Sequence, residues 1–233
     1  MTRDRPTHLL YQTVHRKPVS AGYVTRPNPL SLAERVPVLQ QFRFLGPDII
    51  AQDPAEIAAE VFGFLGVRYV ILHEYMLPSG EEREATLALV DDVFGGQSPV
   101  YRDGRITVYL AGGEEGDSPF LILGEGWGRR HLWGGMPARA VGQEASLTIV
   151  APGDTETSLT FTAFSSQGTR SLELSLNDEP IAEYQIGARR ADFETDPLSL
   201  ADGPNTLRFL DRGDGKSGVV FLSPNLSDDG GEA

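Results

Sequence analysis

The hydropathy pattern of the chain changes character near residue 115, and few features limit its possible folds more. Before that point, segments of helical periodicity alternate with strand-like runs, the clearest being Val67-Arg68-Tyr69-Val70-Ile71-Leu72-His73. After it, nearly every apolar run is short, alternates with polar residues and is bounded by Gly, Pro, Asn or Asp. A helix buries residues at a period of 3.6 and a strand at a period of 2, so one packing scheme cannot serve both halves. The 233 residues are enough for two modest units. The expectation is a two-part α+β chain. A small α/β domain with a mixed sheet would span residues 1–114, and an antiparallel, jelly-roll-like β-sandwich residues 115–226. Residues 227–233 would form a disordered acidic tail.

Local signals fill in the first part. Residues 19–24 are rich in β-branched and aromatic side chains and read as a strand. Residues 30–42 carry Leu32, Val36 and Leu39 at helical spacing, with Pro37 set to kink or shorten the helix. Asp53 suits an N-cap, Pro54 the first helical position and Glu56 the positive end of the dipole. Ile57, Val61 and Leu65 share one face of that helix, and Gly66 can close it. Residues 67–72 then read as a buried strand, and residues 79–94 as a further helix. Asp103-Gly104 marks a hairpin, because this pair tolerates positive φ.

The second part reads as strands around residues 121–123, 132–133, 145–150, 158–163, 171–176, 181–186, 198–200, 206–210 and 219–222. Leu172, Leu174 and Leu176 alternate with polar partners, as do Leu159, Phe161 and Ala163, giving a sheet with one buried face. Asn177-Asp178-Glu179-Pro180 and Asp202-Gly203-Pro204-Asn205 are turn clusters.

Composition excludes several functions. A formal net charge of -13, spread along the chain, repels phosphate backbones and anionic lipid, so no nucleic-acid partner is expected. The absence of cysteine removes disulfides, thiol nucleophiles and cysteine-ligated zinc. No apolar stretch approaches the roughly 20 residues of a membrane span. Met1-Thr2-Arg3-Asp4-Arg5-Pro6 has charges but no apolar core behind it, so the expectation is a soluble chain without a signal peptide.

Motifs for cofactors fail on inspection, and none is expected. In residues 211–217, a phosphate-binding loop would need glycine where Leu210 stands. A calcium loop would need an oxygen ligand where Gly213 stands. A plain hairpin loop between Leu210 and Val219 remains. Gly124-Glu125-Gly126-Trp127-Gly128 lacks the strand–loop–helix setting of a dinucleotide fingerprint.

Two groups of side chains stay open. His73 and Glu74 end the apolar strand, where open α/β sheets bind ligands, and His15 and Arg26 flank the first strand. The competing reading is a strand-end histidine held by backbone. Trp127 and Trp133 flank Arg129-Arg130 at the start of the sandwich. Either they present apolar ring faces to a sugar, or they plug the end of the core.

Tyr11-Gln12-Thr13-Val14-His15-Arg16-Lys17-Pro18 and Gly22-Tyr23-Val24-Thr25-Arg26 resemble a recurrent segment of bacterial multi-pass membrane proteins of GT-C type. These are related to glycosyltransferases that use polyprenyl-phosphate sugars. Residues 65–73 and 100–109, then Gly126-Trp127 and Leu176-Asn177, follow the same element order. The resemblance implies an extracytoplasmic, non-catalytic soluble region, with the catalytic carboxylates in another part of such proteins. Its implied partners are the membrane-embedded part and a glycan or polyprenyl-linked sugar acceptor. The strand ending in Pro that precedes this segment in the family has no counterpart here. The resemblance therefore implies a truncated gene, a mis-called start or a split gene, and an open edge on the first sheet. Two alternatives stand beside it: a free-standing hydrolase or transferase using the His73–Glu74 end, and a structural interaction module.

Overall fold

A computed structural model describes residues 31–111, 116–213 and 218–227. The strand expected at residues 19–24, the candidates His15 and Arg26, and most of the expected acidic tail lie outside them.

The described residues of the first part open with two short helices, α1 (Leu32–Arg35) and α2 (Leu39–Phe44). They replace the single expected helix because Pro37 breaks the run between them. Glu34 reaches back to accept from the Ser31 N–H at 3.0 Å, closing the exposed start of α1. Helix α3 (Pro54–Phe64) starts as its sequence dictates, with the Asp53 carboxylate accepting from the Ala55 N–H at 2.9 Å. Gly66, at φ +63°, ends that segment and turns the chain into strand β1 (Tyr69–Leu72). A short 3-10 turn (Glu74–Met76) and helix α4 (Glu81–Phe94) follow. Strands β2 (Tyr101–Arg102) and β3 (Thr107–Leu110) form the expected hairpin. At its tip Asp103 accepts from the Ile106 and Arg105 N–H groups and the Tyr101 hydroxyl, which hold its carboxyl below the usual range.

The small sheet has the order β1-β3-β2 and every pairing in it is antiparallel. The expected mixed sheet is therefore corrected. The strand read as buried is also buried on one side only. Val70 and Leu72 face the helices, whereas Tyr69 is 57% and Ile71 52% exposed, beside exposed Tyr101 and Leu110. A continuous apolar run does not report which of its two faces is covered.

The rest is a β-sandwich. One sheet has the order β10 (Glu179–Ile186), β9 (Arg170–Leu176), β13 (Gly203–Asp211), β7 (Glu144–Ala151), β4 (Phe120–Leu123). The other has the order β11 (Ala191–Glu194), β8 (Thr155–Ser165), β14 (Val219–Ser227), β6 (Met136–Ala140), β5 (His131–Trp133), and β12 (Leu198–Leu200) pairs with β8. Leu147, Ile149, Leu172, Leu174, Leu207 and Phe209 of the first sheet meet Leu159, Phe161, Val219 and Phe221 of the second in one core. Each expected strand of this part is present, and β6 and β11 are additions. The connection after β13 is not a hairpin, however. β13 pairs with β7 and β9, and β14 with β6 and β8, so the chain crosses between sheets there.

The two parts share apolar contacts. Val61, Phe62, Leu72, Phe94 and Tyr109 cluster with Phe120 and Val150 on the outer face of the first sandwich sheet. Ile49 and Ile50 cross the other way and sit fully buried in the sandwich core. Beside them Asp48 meets Arg139 of β6, with Arg139 Nη2 2.5 Å and Nε 3.1 Å from its two oxygens. Both side chains are almost fully enclosed. Arg139 also donates to the Gly128 carbonyl at 2.7 Å. Removing one member of such a pair leaves a buried charge without a counterion. Asp48→Asn is therefore expected to cost about 3–5 kcal/mol, read as a lower urea midpoint at unchanged slope. A loss under about 1 kcal/mol would show that the pair does not join the two parts.

Candidate functional site

Period-two alternation gives the second sandwich sheet an outer face as well as a core face. Phe161, Ala163, Val219 and Phe221 point inward, while Phe164, Val220 and Ala138 form a separate buried apolar cluster, with Met136 packed against it. The register places Val220 between Phe164 and Ala140. Ala163 pairs with Ala191, so the next residues on this edge, Phe164 and Arg190, come side by side. The outer face thus carries an apolar strip from β8 to β6, with a cation at one border.

Trp133 closes this strip. It ends β5 and pairs with Met136 across Gly134-Gly135. Both glycines have positive φ, 57° and 87°, which a two-residue hairpin turn needs and other residues resist. The turn folds the indole back over the sheet, with its ring 4.8 Å from that of Phe164 at 46°. Trp133 nevertheless stays 51% exposed. Beside it lies a cavity of about 330 Å³ lined by Trp133, Phe164, Ser165, Ser166, Ala188 and Arg190. The site has an aromatic wall, an aromatic floor, two serines and one guanidinium. A flat apolar face with polar groups at its edge fits a pyranose ring, which presents C–H groups on one face and hydroxyls around its rim.

Trp127 stands elsewhere. It is 7% exposed, its ring packs edge-on against Phe209 and Phe221, and its indole N–H donates to the Ser146 carbonyl at 2.6 Å. It plugs the sandwich core, the second of the two readings above, and is not offered to a ligand. Gly126 makes this possible. At φ +83° it lies so close to β7 that a Cβ would fall 1.9 Å from the Glu144 carbonyl oxygen.

The His73–Glu74 group is also placed by its neighbours. His73 precedes the 3-10 turn and lies against Tyr75 with ring centres 6.0 Å apart. The Glu74 carboxylate accepts from the Thr107 hydroxyl at 2.6 Å, and Arg83 lies 3.9 Å from its other oxygen and donates to the Glu74 carbonyl at 2.9 Å. Glu74 thereby ties α4 to β3. The strand-end argument drawn from parallel α/β sheets does not apply to an antiparallel one. Neither side chain lines the cavity beside Trp133.

Sequence reasoning missed Phe164 and Arg190. Phe164 lies one residue beyond the strand expected at residues 158–163, on the face of Thr160 and Thr162, whose polar character hid an apolar continuation. Arg190 follows Arg189 in a loop before a strand that composition did not reveal. The signal that was available is Gly134-Gly135, which marks the hairpin that presents Trp133.

No family model matches the chain, and no curated protein matches it. Three of the solved structures that align with it each cover less than half of its length. A family 35 carbohydrate binding module from an environmental isolate aligns at TM-score 0.35 and 14% identity, over 48% of this chain and 94% of that one. The GH26-CBM35 β-(1,4)-mannanase of Podospora anserina aligns at TM-score 0.36 and 15% identity, over 47% of this chain and 28% of the mannanase. A CBM36 module in complex with calcium and xylotriose aligns at TM-score 0.33 and 11% identity, over 46% of this chain and 99% of that one.

Proposed function

We propose that this chain is a glycan-binding accessory region whose ligand lies on the outer face of the second sandwich sheet. The observation that carries this reading is the half-exposed Trp133, packed at a tilt against Phe164 and bordered by Ser165, Ser166 and Arg190. Leaving a large aromatic in water forgoes about 1.5–3 kcal/mol of burial. The Gly134-Gly135 turn holds Trp133 at the surface with its ring braced by Phe164. A braced, exposed ring is pre-organised, so a sugar stacking on it loses little side-chain entropy from the protein.

The same proposal places the chain with membrane glycosyltransferase-like proteins, as a non-catalytic part on the extracytoplasmic side. What supports this context is the sequence of residues 11–18 and 22–26 and the element order that follows. Among the described residues no helix is long and apolar enough to cross a membrane; in this reading the anchor is a membrane-embedded partner, either a further part of the same protein or a neighbouring one. A glycan or polyprenyl-linked acceptor would be steadied by the sandwich while chemistry takes place on that partner.

Two experiments test the two halves of the reading. On a glycan array followed by calorimetry, the intact chain should bind at least one oligosaccharide class. Trp133→Ala should weaken that binding by about tenfold or more, with a change in unfolding free energy under about 1 kcal/mol. Binding unchanged in Trp133→Ala would refute the platform. For the context, antibody against the chain should detect it in the membrane fraction of the native cells. Recovery solely as a soluble band near 25.3 kDa would remove the membrane assignment and leave the platform to be judged on its own.

A further inference from the structure

The Trp133 site carries a charge that its chain would not lead one to expect. The whole sequence has a formal net charge of -13, yet among the described residues the ionisable side chain lining the cavity is a guanidinium, Arg190. Among the described residues its polar contact is with the Met136 sulfur, 3.3 Å from Nη1. A thioether is a weak acceptor, so this contact positions the guanidinium beside the Trp133–Met136 pair while satisfying little of its donor capacity. Asp192, two residues further along the same edge, accepts from the Thr162 hydroxyl at 2.5 Å, and it does not line the cavity. Arg189 adjoins Arg190 and is also exposed. Ser165 and Ser166, at and just beyond the end of β8, add hydroxyls to the lining. Ser165 Oγ accepts from the Gln167 N–H at 3.2 Å, and Ser166 Oγ donates to the Gly218 carbonyl at 3.3 Å.

We infer that the site selects sugars bearing a carboxylate, of the hexuronate class, over their neutral counterparts. This rests on the glycan reading of the same site and adds the ligand's chemistry to it. Trp133 takes the apolar face of the ring, and Phe164 forms the floor. Arg190 stands at the edge of the cavity, where a carboxylate on the ring's periphery would lie. The planar guanidinium fork matches two carboxylate oxygens with parallel N–H donors, a geometry that a neutral hydroxymethyl group cannot use. An acidic chain repels acidic polymers at long range. A cation beside an aromatic platform on such a chain therefore gives selectivity at contact and has no role in long-range capture.

The test uses the full chain, Arg190→Gln and Trp133→Ala. The probes are a tetrasaccharide of uronate residues, its carboxyl-reduced neutral form and a hexose 6-phosphate. Calorimetry is run at low and at moderate salt. The expected result is uronate binding about tenfold tighter than the neutral form, a ratio that falls to near one in Arg190→Gln while neutral binding persists. Equal affinity of the intact chain for uronate and neutral forms would overturn the selectivity and leave the platform intact. Tighter binding of the phosphate than of the uronate would overturn the carboxylate assignment. If none of the probes binds and the array is also blank, the platform reading itself fails. A uronate preference retained in Arg190→Gln would assign the charge contact to another residue and overturn the inference.

Discussion

The architecture depends on where residues 48–52 run. This segment leaves the helical part, enters the sandwich and returns, and almost every group in it is buried. Asp48 takes the Arg139 guanidinium, Ile49 and Ile50 fill the sandwich core, and Gln52 behaves as a rung of the first sheet. Its side-chain amide donates to the Pro119 carbonyl at 3.0 Å and accepts from the Leu121 N–H at 2.8 Å. Gln40 and Gln41 hold the same segment from the other side through the Ile50 and Gln52 carbonyls, at 3.3 Å and 3.1 Å. An extended segment buried between two layers needs partners for its backbone, and side-chain amides supply them here in place of a strand.

The candidate site inherits its rigidity from this join. Arg139 lies on β6, one residue beyond Ala138, which belongs to the apolar strip under Trp133. Fixing β6 through Asp48 and the Gly128 carbonyl also fixes the hairpin that carries Trp133. A second buried pair, Arg170 with Asp211 at 2.8 Å, braces the end of the other sheet near the crossing after β13. Buried pairs of this kind add little net stability when intact, but they penalise alternative packings heavily. They hold the elements in one arrangement, which a pre-formed binding face requires.

Much of this was legible in the sequence, for identifiable reasons. Asp53-Pro54, Pro37, Asp103-Gly104 and the alternating leucines of β9 each act through local backbone or period-two physics, and each produced the element it signals. The turn at Asn177-Asp178 takes positive φ at both residues, 49° and 70°, as that residue pair permits. What stayed hidden depends on contacts distant in sequence. The Asp48–Arg139 pair is separated by 91 residues, and no pattern marks either residue. The antiparallel order of the small sheet is set by which strands meet, and composition does not encode that choice. The opposite fates of Trp127 and Trp133 were undecided because both lie beside glycine. Gly126 pushes its neighbour into the core, whereas Gly134-Gly135 turns Trp133 out.

The two tryptophans give the most direct test. Each indole N–H yields one resolved signal in a nitrogen–proton correlation spectrum, assignable by replacing each tryptophan with phenylalanine in turn. On titration with the uronate tetrasaccharide, the Trp133 signal should move progressively to saturation while the Trp127 signal, bonded to the Ser146 carbonyl inside the core, stays in place. Movement of the Trp127 signal with the Trp133 signal fixed, or of neither at millimolar ligand, would contradict the account of the outer sheet face as the binding surface.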